Sequence, residues 1–83
     1  SPGYSGAMVM HFQLSGPIDS LCWREALTRL ARKYGSVPSL KPTSAVVTFF
    51  TRQPIDDPRS FAQARYEEAS RAVRRIHQEH SRL

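Results

Sequence analysis

Apolar and polar positions alternate along residues 7–14. Met8, Met10, Phe12 and Leu14 share one face, and Val9, His11 and Gln13 share the other. A period of two predicts a strand with one face in a core. Ser15-Gly16-Pro17 breaks that pattern, and the period then lengthens. Trp23, Ala26, Leu27, Leu30, Ala31 and Tyr34 form a stripe at helical spacing. Asp19 is the expected N-cap of this helix. Ile18, just before it, is expected to pack on Trp23 as a hydrophobic staple. Gly35 suits the left-handed position that ends a helix.

Residues 36–43 carry two prolines and no period, and read as a connection. A second strand is expected over Ser44–Arg52. Its faces are Ala45/Val47/Phe49/Thr51 and Val46/Thr48/Phe50/Arg52, both partly apolar, so it should be the more central strand. Asp56-Asp57-Pro58 then opens a last helix, with a carboxylate cap and proline at the first helical position. It should run to about Ser81. Phe61, Ala64, Ala69, Ala72, Val73, Ile76 and His80 trace its inner face. Arg71, Arg75, Gln78 and Arg82 trace its outer face, with Arg74 beside them.

Residues 7–19 and 44–56 share one layout: an apolar run that ends in Pro-Ile-Asp and leads into a helix. The predicted fold class is therefore α/β (α+β is the variant), with two β-α units in β-α-β-α order. Both helices should pack on one face of a small sheet. Parallel strands joined by a right-handed crossover are the more natural arrangement, with antiparallel pairing as the alternative. Two strands alone leave both sheet edges open. A homodimer, or a hetero-partner joined through the sheet, is expected to complete it, with Val46, Val47, Phe49 and Phe50 at the assembly interface. Residues 1–6 have linker composition and are expected to be a flexible lead-in, leaving 7–83 as one domain.

Composition changes this picture in two ways. The chain carries twelve Lys and Arg against seven Asp and Glu, for a net charge of +5. Ten of the cations are arginine, whose planar fork suits phosphate. Arg71, Arg74, Arg75 and Arg82, flanked by Arg65, are the expected anion-binding residues, with nucleic acid as the partner. Glu67, Glu68 and Glu79 are expected to neutralise part of that face through pairs one helical turn apart. The alternative is a protein–protein interaction or regulatory module whose charge serves only solubility. Apolar runs are too short for a membrane span, so no membrane partner is expected. A lone cysteine, Cys22, cannot form an internal disulfide, which suits the cytoplasm or another reducing compartment.

Signals for catalysis are sparse, and no enzyme, cofactor or metal is expected. His77 and His80 lie one turn apart, but a zinc site needs further ligands. Helix-end histidines fit the negative end of the dipole equally well. Cys22, read as lying in a first turn, would have a lowered pKa there; as a small buried apolar residue it would be inert. Asp19, Asp56 and Asp57 sit at strand-to-helix junctions, where α/β proteins hold ligands, and capping accounts for them as well. Trp23, Phe49 and Phe50 are either stacking platforms for bases or core.

Phe12-Gln-Leu-Ser-Gly-Pro-Ile-Asp19, followed by Arg24-Glu-Ala-Leu-Thr-Arg-Leu30 and Arg32-Lys-Tyr34, resembles the opening strand and helix of acyl-transferring condensation domains. The resemblance implies strand, turn and helix over residues 7–34. That family's His-His-x-x-x-Asp-Gly motif does not occur in this chain, so no activity and no site residue is implied.

Overall fold

A computed structural model describes residues 3–82. The elements are β1 (Gly6–Gln13), α1 (Pro17–Lys33), β2 (Ser39–Leu40), β3 (Ser44–Thr51) and α2 (Pro58–Ser81). The strands form one sheet in the order β1-β3-β2, and both pairings are antiparallel. The fold is a small α/β fold, with both helices on one face of the sheet.

The expected parallel pairing of the two long strands does not occur. Ser39 pairs with Val46 and Leu40 with Ala45, and the Lys41 N–H donates to the Ser44 carbonyl at 2.9 Å. This tight hairpin reverses the chain, so β3 enters the sheet antiparallel to β1. The strand parallel to β1 is β2, with β3 inserted between them. A two-residue strand between Pro38 and Pro42 has no period to read, which is why the connection looked structureless.

The alternation in β1 and β3 sets the core. Phe12, Leu14, Ala45, Val47 and Phe49 point to the helices and are buried, with Val47 and Phe49 wholly inaccessible. Leu27, Leu30 and Ala31 of α1 and Ala69 of α2 close over them. Cys22, Ala26, Ala72, Val73 and Ile76 form the seam between the helices. Small residues on both sides of that seam let the helix backbones approach closely. The helices run antiparallel: Asp19 near the start of α1 meets His77 late in α2, and Lys33 at the end of α1 meets Glu68.

Asp19 is not the cap of α1. Pro17 occupies the first turn, where its fixed φ suits a helix and its missing N–H costs nothing. The helix therefore starts earlier, with Gly16 as N-cap at φ 83°, and no side chain caps it. That conformation favours glycine. The Ile18–Trp23 staple lies outside the described side chains. Gly35 does end α1 in the left-handed region, at φ 76°. Asp57 caps α2: its carboxylate accepts from the Ser60 N–H at 3.2 Å, and Pro58 follows as expected.

Tyr4 and Ser5 are held against β3. The Ser5 N–H donates to the Thr51 carbonyl at 2.9 Å. Tyr4 stacks on Phe50 with ring centroids 5.3 Å apart. Ser1 and Pro2 lie outside the described residues.

Candidate anion-binding face and strand edge

Helical geometry places Arg71, Arg74, Arg75, Gln78 and Arg82 along one side of α2, about 16 Å from end to end at 1.5 Å per residue. All five are exposed. The expected neutralisation by neighbouring glutamates is only partial: after Arg29, Arg75 helps to lower the Glu79 carboxyl, but the glutamates make their direct contacts elsewhere. Glu79 turns away to Arg29 of α1, with contacts of 3.3 and 3.4 Å. Glu68 turns inward to Lys33 and Tyr34. Glu67 accepts from the Gln63 side-chain amide at 3.2 Å. Among the described residues, Arg71, Arg74, Arg75 and Arg82 have no carboxylate partner within 4.0 Å.

Arg65 does not belong to that face. Its guanidinium lies over the rings of Phe61 and Tyr34, 4.6 and 5.1 Å from their centroids. Its Nε sits 3.1 Å from a Glu68 oxygen, too oblique for a hydrogen bond. With its side chain 19% exposed, Arg65 serves packing between α1 and α2.

Glu68 organises this polar seam. Burial pushes its carboxyl up, but the hydrogen bonds from Lys33 and Tyr34, and the charges of Lys33 and Arg65, hold it below its ordinary value. Tyr34 is raised in turn, first by burial and then by its bond to Glu68. These shifts describe a structural ion cluster, since the groups face one another rather than a cleft.

The residues expected at an assembly interface divide. Val47 and Phe49 are consumed in the core of this same chain. Phe49 meets the rings of Tyr34 and Phe61 edge-on. Val46 and Phe50 are half-buried on the helix-free face of the sheet. Because β3 is central, the long open strand edge belongs to β1, and the two-residue β2 forms the other edge.

A cavity of about 380 Å³ lies beside that edge, lined by β1, Asp19, Trp23 and Tyr66. Phe12, Trp23 and Tyr66 form a ring cluster there, with centroids 5.7–6.5 Å apart. Sequence reading did not single out Tyr66. Its signal was its position seven residues before Val73, nearly the same line on the helix. Trp23 and Phe49 are occupied by these ring contacts, and Phe50 by Tyr4.

The other chemical candidates resolve into structure. Cys22 lies in the second turn of α1, buried, because the helix starts at Pro17. Burial pushes its thiol up, and the charges of Asp19 and Glu25 add to this, opposite to an activated cysteine. His77 Nε2 lies 3.1 Å from Asp19 Oδ1. His80 is exposed rather than inward-facing. Among the described residues no three His, Cys, Asp or Glu side chains converge as a metal site. No helix among them is long and apolar enough to cross a membrane.

Comparison with protein families, curated proteins and solved structures finds no match. The condensation-domain resemblance therefore stays at the level of its strand, turn and helix.

Proposed function

We propose that this chain is a small non-catalytic binding module that takes nucleic acid on the outer face of α2. The observation that carries the reading is the partnering of the glutamates. Glu68 and Glu79 are directed to α1, and among the described residues Arg71, Arg74, Arg75 and Arg82 form no direct ion pair. Four arginines over about 16 Å match about four phosphates of one strand at 3.4 Å each. Arginine donates in a planar fork that fits phosphate oxygens. The buried thiol of Cys22 and the capping role of Asp57 favour a binding role over chemistry.

Fluorescence anisotropy with a labelled oligonucleotide tests this. Four phosphate contacts give an affinity loss of roughly 10²-fold between about 50 and 200 mM salt. Arg71→Glu with Arg74→Glu should abolish binding, while Arg59→Glu with Arg32→Glu, an equal charge change off this face, should weaken it far less. Equal losses in both double variants would reduce the effect to net charge and overturn the reading. Salt-independent binding, or none, would favour the protein–protein alternative.

A further inference from the structure

We propose that β1 pairs edge to edge, antiparallel, with β1 of a second copy, on a two-fold axis at Met10. The inference starts from hydrogen-bond parity. The Leu14 N–H donates at 2.8 Å to Thr43, the residue opposite it in the β1–β3 register. In an antiparallel ladder such pairs recur at every second residue. Phe12, Met10 and Met8 therefore direct their backbone groups to β3. Ala7, Val9, His11 and Gln13 direct theirs outward. Among the described residues, nothing bonds to those outward groups. Val9 is 55% exposed.

Isolated folds usually blunt such an edge with lysine, proline or a bulge. Residues 6–14 contain no charge and no proline, and all eight of Gly6–Gln13 are regular strand. Two copies each carrying +5 repel over most of their surface. The β1 edge itself is a strip without a charged side chain.

Backbone satisfaction also selects the register. An antiparallel pair centred on Met10 sets Ala7 against the partner's Gln13, and Val9 against the partner's His11. All four outward residues then bond in both copies. Centring on Val9 or His11 leaves one of the four without a partner from the same set, and a His11 centre also stacks two imidazoles. In the Met10 register the partner's Met8 lies opposite Phe12, on the side of the ring-lined cavity. A flexible thioether among Phe12, Trp23 and Tyr66 is a favourable filling for that space. The axis stands perpendicular to the sheet, so the helices of both copies lie on the same face of a six-stranded sheet.

Light scattering on the purified chain should give twice 9.4 kDa at tens of micromolar. Val9→Pro removes an outward N–H only and should leave the β1–β3 ladder intact, since proline is tolerated at such edge positions. It should give a monomer with unchanged circular dichroism. Met10→Cys in a Cys22→Ala background should crosslink on mild oxidation, because residues facing across the axis approach within disulfide reach. A wild-type monomer whose β1 amides exchange freely overturns the proposal and leaves the edge to a different chain. So does a dimer that survives Val9→Pro. If Val9→Pro does not fold, the absence of the Met10→Cys crosslink overturns it. None of these readouts depends on nucleic acid, so this pairing and the arginine-face reading can fail separately.

Discussion

The Tyr34 hydroxyl at the end of α1 donates to Glu68 of α2 at 2.9 Å, on the same carboxylate that Lys33 grips from the other side. This ties the end of one helix to the middle of the other, where the apolar seam of small residues gives way to charge. The cluster makes stability depend on pH at both ends. The Glu68 carboxyl is lower in the folded chain than in the unfolded one. Its contribution is therefore present above the unfolded value of about 4.3 and is lost as pH falls through the folded value. Tyr34 and Lys33 are raised on folding. Their contribution is present below about pH 10 and is lost as pH rises further. Urea unfolding should give a plateau across neutral pH with a fall on each side. Glu68→Gln should cost about 1–2 kcal/mol at pH 7 and flatten the acid limb. An unchanged acid limb would show that Glu68 is not the group responsible.

Gly35 meets two demands at once. Its φ of 76° disfavours any side chain, and a Cβ there would run into the Tyr4 hydroxyl. Gly35→Ala should destabilise by about 1–2 kcal/mol from the backbone alone, with the collision added. Adding Tyr4→Ala should recover the collision part but not the backbone part. A double variant as unstable as the two single losses summed would show that Tyr4 does not reach Gly35 in solution.

Asp19, the aspartate of the first Pro-Ile-Asp triplet, lies inside the first turn of α1, whereas Asp57, one residue past the second triplet, is the N-cap of α2. Asp57 accepts from the Ser60 hydroxyl at 2.8 Å and from the Ser60 N–H at 3.2 Å, and these bonds, the hydroxyl's first, keep its carboxyl below the ordinary value. Asp57→Ala should therefore lower the unfolding temperature measurably, as loss of a helix N-cap does. Among the described residues Asp19 caps nothing, and its ion-pair partner is the partly exposed His77. Asp19→Ala should cost no more than about 0.5 kcal/mol, the range of an exposed pair. Thermal unfolding of the two variants side by side decides it; equal losses would mean that Asp19 stabilises α1 after all.

Periodicity made the long elements legible. The faces of β1 and β3, the span of α2, the Asp57 cap and the Gly35 terminus all follow from spacing and residue type within one segment. What spacing could not carry was pairing between segments. Ser39 and Leu40 are too few to show alternation, yet they reverse the chain and put β3 in the centre of the sheet. That choice moved Val47 and Phe49 from an expected interface into the core. The arginine stripe was visible as a stripe, but not its lack of direct ion pairs, because Glu68 and Glu79 choose closer partners on another helix. Arg65 lies on the inner flank of α2 because Phe61, one turn away, and Tyr34, far off in the chain, both offer it ring faces.

Cys22 gives a direct report on opening of the helix seam. Its side chain is 2% exposed, and burial together with the charges of Asp19 and Glu25 disfavours the thiolate. A thiol reagent must therefore wait for the seam to open before it can react. Labelling of the native chain should be slow and should accelerate with urea in step with unfolding. Cys22→Ala should be tolerated, since alanine already lines both sides of the seam at Ala26 and Ala72. Cys22→Ser should cost more, about 1–3 kcal/mol, because the hydroxyl would be buried without a partner. Rapid labelling without denaturant would mean that α1 and α2 separate readily, and that the seam is not the rigid part of the fold.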